Sequence, residues 1–179
     1  MNKVVTGFFV IVVLVVAAIK LTDNHSGGSF HWRAYVPKFL IGVSIPYEAV
    51  EFNNHHYHVY ADVALTWDEA EDFCESKGGH LAVISSEDEN KRLYKIMRDS
   101  GYDNAYIGLS NVKLENVWSW INGEPISYTY WANGSPVTTR GFNYARFFKN
   151  SDAQWNCGNF KRSGNNQNEP LIFICEWDE

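Results

Sequence analysis

Hydrophobic positions come first as one block. Val4 to Ile19 form an apolar run that only Thr6 and Gly7 interrupt, with Lys3 before it and Lys20 and Asp23 after it. The positive charge leans to the N-terminal side, which predicts that the N-terminus stays inside and the rest crosses. A helix over these 16 residues spans about 24 Å at ~1.5 Å per residue, short of a hydrocarbon core of ~30 Å but long for the apolar region of a signal peptide. Val16-Ala17-Ala18 offers small residues for cleavage after Ala18. Residues 1–20 therefore read as a cleaved signal peptide or a membrane anchor, with a buried helix of a soluble domain as a third reading. Either of the first two places the remainder outside the cytoplasm, where disulfides persist. Thr22 to Ser29 is polar and Gly/Ser-rich, a linker signature. Residues 21–50 read as a linker or neck, although Phe39-Leu40-Ile41 would also suit a first strand.

From about Glu51 the pattern becomes regular. His56 to Tyr60 alternates as a strand does. Thr66-Trp67-Asp68-Glu69 is a capping box, in which hydroxyl and carboxylate satisfy each other's backbone amides. Ala70, Phe73 and Cys74 recur at helical spacing until Lys77-Gly78-Gly79 stops the helix. His80 to Ile84 reads as a short strand, and Ser86-Glu87-Asp88-Glu89 as a second capping box. Leu93, Ile96 and Met97 form the apolar face of that second helix, which Ser100-Gly101 ends. Beyond Gly101 the pattern predicts only short strands: Ala105 to Leu109, Val117 to Ile121, Asn143 to Phe148, Ala153 to Asn156 and Leu171 to Trp177. Asn122-Gly123, Asn133-Gly134 and the run from Gly158 to Pro170 supply turns. Two helices followed by many short strands make an α+β fold.

Composition narrows the partners. The 179 residues carry 15 Lys+Arg against 21 Asp+Glu, a net charge of −6, and no basic block exceeds two residues, as at Lys91-Arg92 and Lys161-Arg162. A nucleic-acid surface needs a basic patch or stripe, so a nucleic-acid partner is not expected. Any membrane contact would run through the N-terminal segment alone. A hydrophobic content of 45% is enough for a core, and a 16% aromatic content suits both cores and recognition surfaces.

The landmarks then fall in a recognisable order: a capped helix bearing Cys74, Tyr106-Ile107-Gly108-Leu109, Trp118-Ser119-Trp120, Asn122-Gly123-Glu124-Pro125, Tyr130-Trp131, Trp155-Asn156 and Cys175-Glu176. The chain over residues 51–179 resembles a C-type lectin-like domain. The resemblance implies a doubly looped α+β fold with the last strand beside the first, and a long loop carrying the ligand site. It also implies a Cys74–Cys175 disulfide. Two cysteines at opposite ends of an extracytoplasmic domain agree with that pairing.

Sugar-binding members of that family work through calcium. Its ligands are a Glu and an Asn or Asp flanking a Pro in the long loop, a second Glu, and the Asn and Asp of a Trp-Asn-Asp motif. Alignment from Trp131 puts Ser135-Pro136-Val137 on the first group, Phe142 on the second Glu and Trp155-Asn156-Cys157 on the third. Only Pro136 and Asn156 remain. Calcium takes about 6–8 oxygens, several of them anionic, so no calcium and no other cofactor is expected. Glu124-Pro125-Ile126 lies in the preceding turn and is no substitute. The family's second disulfide is also missing, because Tyr144 stands at one of its cysteine positions. That leaves Cys157 unpartnered, as a buried thiol, a reactive thiol or half of an intermolecular bridge.

Other chemistry is weak. His55, His56, His58 and His80 evoke zinc, but no Cys/His pairs at finger spacing accompany them, and strand-exposed histidines are the simpler reading. No hydrolase, redox or nucleotide-binding motif occurs, so no enzyme is expected. Asn24-His25-Ser26 and Asn133-Gly134-Ser135 are glycosylation sequons. Trp118, Trp120, Trp131 and Trp155 match core landmarks. The ligand candidates are Asn133, Ser135, Arg140 and Phe142 in the long loop, with Asn156 and Asn159 beside it. They offer directional hydrogen bonds and one stacking face. The stretch Lys161 to Asn168 would form a second rim. The expected function is a recognition module for glycan without calcium, with a protein ligand as the alternative.

Overall fold

Strand β1 (Val50–Phe52) turns directly into the long β2 (His55–Leu65). The turn residues Asn53 and Asn54 both have positive φ, 51° and 65°, the backbone a two-residue hairpin requires and one that Asn tolerates. The computed structural model describes residues 42–114, 117–137, 142–149, 152–158 and 171–178. The apolar run at 1–20, the linker up to 41 and the rim at 161–168 lie outside them. Among the described residues no helix is long and apolar enough to cross a membrane.

Helix α1 (Trp67–Ser76) has the expected capping box: Thr66 Oγ1 accepts from the Glu69 amide, and Glu69 Oε2 accepts from the Thr66 amide at 3.0 Å. Gly78, at φ +82°, ends it, and the Gly79 amide closes back on the Cys74 carbonyl at 3.0 Å. The next strand, β3, is only His80–Leu81, not the five residues expected. The Val83 amide donates instead to a Glu176 side-chain oxygen at 2.6 Å, so the ladder cannot continue. Helix α2 (Glu87–Asp99) is capped by Ser86, but its capping box is incomplete. Glu89 turns inward: Oε2 accepts from the Ser85 amide at 2.6 Å, and Oε1 accepts from the Tyr57 hydroxyl.

The remaining strands are β4 (Ala105–Leu114), β5 (Val117–Trp120), β6 (Tyr144–Phe147), β7 (Trp155–Gly158) and β8 (Leu171–Asp178). The sheet order is β1-β2-β8-β4-β6-β7, with β3 on β8 and β5 on β4. The last strand thus lies antiparallel beside β2, with His55 opposite Asp178 and Tyr57 opposite Glu176, and parallel to β4. Ala153, expected in a strand, sits in a turn at φ +65°. Asn90 on α2 holds that turn. Its Nδ2 donates to the Ala153 carbonyl at 2.9 Å, and its Oδ1 accepts from Trp155 Nε1 at 2.6 Å.

Both faces of β8 are covered, which explains its nearly unbroken apolar sequence. Ile172 and Ile174 face a core with Leu93, Met97, Ile107, Trp120, Phe147 and Trp155. Phe173, Cys175 and Trp177 face a second core with Trp67, Leu81 and Tyr106. Cys175 is bridged to Cys74, with Cα atoms 5.6 Å apart and a separation of 101 positions in sequence. Glu176 follows on the first face at 2% exposure. Burial raises its carboxyl to about 9 and drives the Tyr57 hydroxyl upward as well.

Tyr57 is the donor between two buried carboxyl groups. Tyr57→Phe keeps the ring and leaves Glu89 one donor short, so it is expected to destabilise the fold by about 1.5–3 kcal/mol. Urea denaturation at neutral pH measures this; a midpoint equal to the parent's would show that the hydroxyl adds nothing.

Candidate functional site

The long loop leaves β5 at Trp120 and returns to β6 at Tyr144. Its first bend is an Asx turn, with the Glu124 amide donating to Asn122 Oδ1 at 3.0 Å and Gly123 at φ +85°. Glu124 is exposed in that turn, apart from the later part of the loop. The chain then lies against β7. The Trp155 amide donates to the Tyr130 carbonyl at 2.8 Å, and the Ala132 amide donates to the Trp155 carbonyl at 2.8 Å. Rings reinforce this seam: Trp131 and Tyr128 lie edge-on to Trp155 at 5.7 and 5.8 Å, and Trp118 edge-on to Trp131 at 4.8 Å. The tryptophans thus form the loop's scaffold, as their landmark positions suggested.

Beyond the seam comes the Asn133-Gly134 turn, closed by the Ser135 amide on the Ala132 carbonyl at 2.9 Å. The Ser135–Pro136 peptide is cis. The Val137 amide then donates to Cys157 Sγ at 3.0 Å. Cys157 is a free cysteine, 6% exposed, on β7 opposite Ala145. Of the three alternatives for this residue, the structure has the buried thiol.

The candidate residues divide accordingly. Asn133 is exposed at the turn tip, and Ser135 is half-buried. Asn156 is half-buried on β7, and its Oδ1 accepts from Arg146 Nε at 3.1 Å. Phe142 is half-buried just before β6, where its carbonyl faces Asn111 Nδ2 at 3.4 Å. Arg140 and Asn159 lie outside the described residues. The sequence reading did not single out Arg146, which the β6–β7 register places directly opposite Asn156. Strand alternation from Tyr144 was the signal for it. Tyr144, at a position of the missing second disulfide, stacks on Trp67 at 5.0 Å and donates to Asp68 at 3.0 Å. An aromatic clamp thus ties β6 to α1.

Against known families, the Lectin C-type domain matches residues 63–177. The chain belongs to this family. Among its relatives is the hemolymph lipopolysaccharide-binding protein of Periplaneta americana, 30% identical over 134 residues, which are 67% of this chain and 48% of that one. The chain spans less than half the length of the curated relatives it matches. The mouse scavenger receptor C-type lectin carbohydrate-recognition domain shares its fold at TM-score 0.62 and 28% identity, covering 74% of this chain and 95% of that one. A calcium-independent type II antifreeze protein gives TM-score 0.63 at 26% identity, covering 76% and 96%. The two-helix α+β lectin architecture is therefore shared with both solved domains.

Cys157 is the loop's covered sulfur, so a thiol reagent is expected to label the native protein slowly and to titrate one thiol per chain after unreduced denaturation. Immediate full labelling of the native chain would mean that the Val137–Cys157 contact opens freely.

Proposed function

We propose that the chain is an extracytoplasmic recognition module that binds glycan through its long loop without calcium. The observation that carries this reading is the contact between the Val137 amide and Cys157 Sγ. In the family alignment both residues stand where calcium ligands belong, and neither has a carboxylate. A buried thiol holding a backbone amide fills the space with groups that do not attract a hard cation. The other aligned positions, Ser135 and Phe142, are likewise uncharged.

The polar neighbourhood fits an uncharged, hydroxyl-rich ligand. Asn133 and Ser135 offer donors and acceptors, and Phe142 offers a ring face for stacking. Arg140 and Asn159 belong to the same proposed surface by sequence. The mouse relative is a carbohydrate-recognition domain and the cockroach relative a lipopolysaccharide-binding protein, which favours glycan over protein as the ligand class. The Cys74–Cys175 bridge supports an extracytoplasmic location, with residues 1–20 serving as signal peptide or anchor.

A glycan array probed with chelator-stripped protein, with and without added calcium, tests the reading. The same glycans are expected in both. Binding only in calcium would overturn the calcium independence, and no glycan in either arm would favour the protein ligand. Melting curves of the stripped protein with and without calcium should superimpose. A site of ~10 μM affinity in ~1 mM calcium would stabilise by about 2.7 kcal/mol, a shift that would be seen.

Phe142→Ala separates recognition from packing. A hot-spot contact loses about 2 kcal/mol or more of glycan binding at an unchanged melting temperature. A large fall in melting temperature would instead make Phe142 a packing residue and move the ligand surface to 161–168.

A further inference from the structure

Two histidines and two carboxylates converge at the end of β8, and the proposed lectin surface uses none of them. The strand registers bring them together. His55 on β2 faces Asp178 on β8, and His80 on β3 faces Glu176. Residues 176 and 178 are two apart, so they share one face of the strand, and directly opposed residues share that face too. His55 Nδ1 lies 2.9 Å from Glu176 Oε1 and 3.0 Å from Asp178 Oδ1. His80 Nε2 lies 3.3 Å from Asp178 Oδ2. Ligand atoms of His55, Glu176 and Asp178 all fall within 4.8 Å of one another.

The hydrogen-bond chemistry asks for a positive centre. His80 Nδ1 sits 2.9 Å from the Leu81 carbonyl, which can only accept, so the ring proton of a neutral His80 resides on Nδ1. Nε2 then presents a lone pair to a carboxylate oxygen, and two acceptors face each other. Anchoring one ring nitrogen on a carbonyl while the other stays open is how metal-binding histidines are held. His55 Nδ1 faces an oxygen of each carboxyl group.

We propose that His55, Glu176 and Asp178, with His80 beside Asp178, form a binding site for a zinc-class divalent cation. Zinc bonds of about 2.0–2.1 Å in a tetrahedron put neighbouring ligand atoms about 3.3 Å apart, close to the 2.9 and 3.0 Å from His55 to the two carboxyl groups. Two imidazoles and two carboxylates suit zinc and its transition-metal neighbours. Calcium, which takes oxygen ligands almost alone, does not fit. Glu176 is already fixed by the Val83 amide on its other oxygen, and the neighbouring His80 by the Leu81 carbonyl, so both are oriented in advance. Side-chain exposures of 33% at His55, 14% at His80 and 52% at Asp178 leave the site open from solvent. It is separate from the long loop, because β4 and β6 stand between β8 and β7.

The full chain, stripped with chelator, is titrated with zinc alone while heat released and melting temperature are followed. One zinc per chain and a melting temperature higher by several degrees at saturation are expected. Asp178→Asn and His55→Gln change half-exposed or exposed side chains, so both variants should fold. Each should bind zinc about tenfold or more weaker than the parent. Calcium at the same concentration should produce neither heat nor a shift. No zinc binding in the parent would overturn the site and leave the cluster as an ion pair held by a proton. Equal zinc affinity in the parent and both variants would also overturn it, by placing the metal elsewhere.

Discussion

Everything in this fold is referred to β8, a strand covered on both faces. Burying both faces removes the usual alternation of apolar and polar residues and requires an apolar side chain at nearly every position. The run Leu171 to Trp177 meets that demand except at Glu176. Cys175 covalently joins the strand to α1, and the next residue, on the opposite face, joins it to β2 and α2 through Tyr57 and Glu89. A carboxyl group at 2% exposure is tolerable only because every neighbour is arranged around it. The Val83 amide leaves the β3 ladder for it, and α2 surrenders its second capping contact nearby. Burying the group without these donors would cost several kcal/mol.

The long loop solves a different problem. It has little regular structure, so its backbone groups need partners outside any ladder. Trp155 supplies two of them among the described residues. Its amide and carbonyl fasten residues 130 and 132, its ring packs against Tyr128 and Trp131, and its indole N–H reaches Asn90 on α2. Asn90 in turn holds the Ala153 turn that aims Trp155. One side chain thus couples the loop to a rigid helix. A ligand surface on the described part of this loop would be held in place beforehand, and less binding energy would be lost to ordering it.

Most of the architecture was legible because it is local. Capping residues and glycines mark both helices, and alternation marks most strands. The misreadings share one cause, a tertiary contact overriding a local signal. Ser86 and Glu89 satisfy the capping-box pattern, yet Glu89 is drawn inward by a tyrosine 32 residues away. Residues 80–84 look like a strand, yet Val83 is diverted by a side chain 93 residues on. Ala153 looks like strand and is turn because Asn90 holds its carbonyl. The β1–β2 hairpin was the exception, since Asn53-Asn54 was a local signal that went unread. Of the candidate site residues, Asn156 lies on β7, Asn133 and Ser135 follow the seam at Trp155, and Phe142 lies just before β6 beside Asn111, while the Arg146–Asn156 pairing depended on register.

The histidines show the same limit most sharply. Read along the chain, His55 and His80 are 25 residues apart, and their carboxylate partners lie 123 and 98 residues away. No motif at metal-binding spacing connects them, because the connection is made across strands. A finger-type motif carries its ligands on one short segment and so is visible as a spacing. A sheet that places its last strand between its first hairpin and a short third strand assembles ligands from three segments, and only the register shows it. The buried carboxyl of Glu176 gives this end of β8 a further property. It links the outer His–Asp cluster to the inner Tyr57–Glu89 pair, so a cation bound at the surface would bear directly on a hydrogen bond in the core.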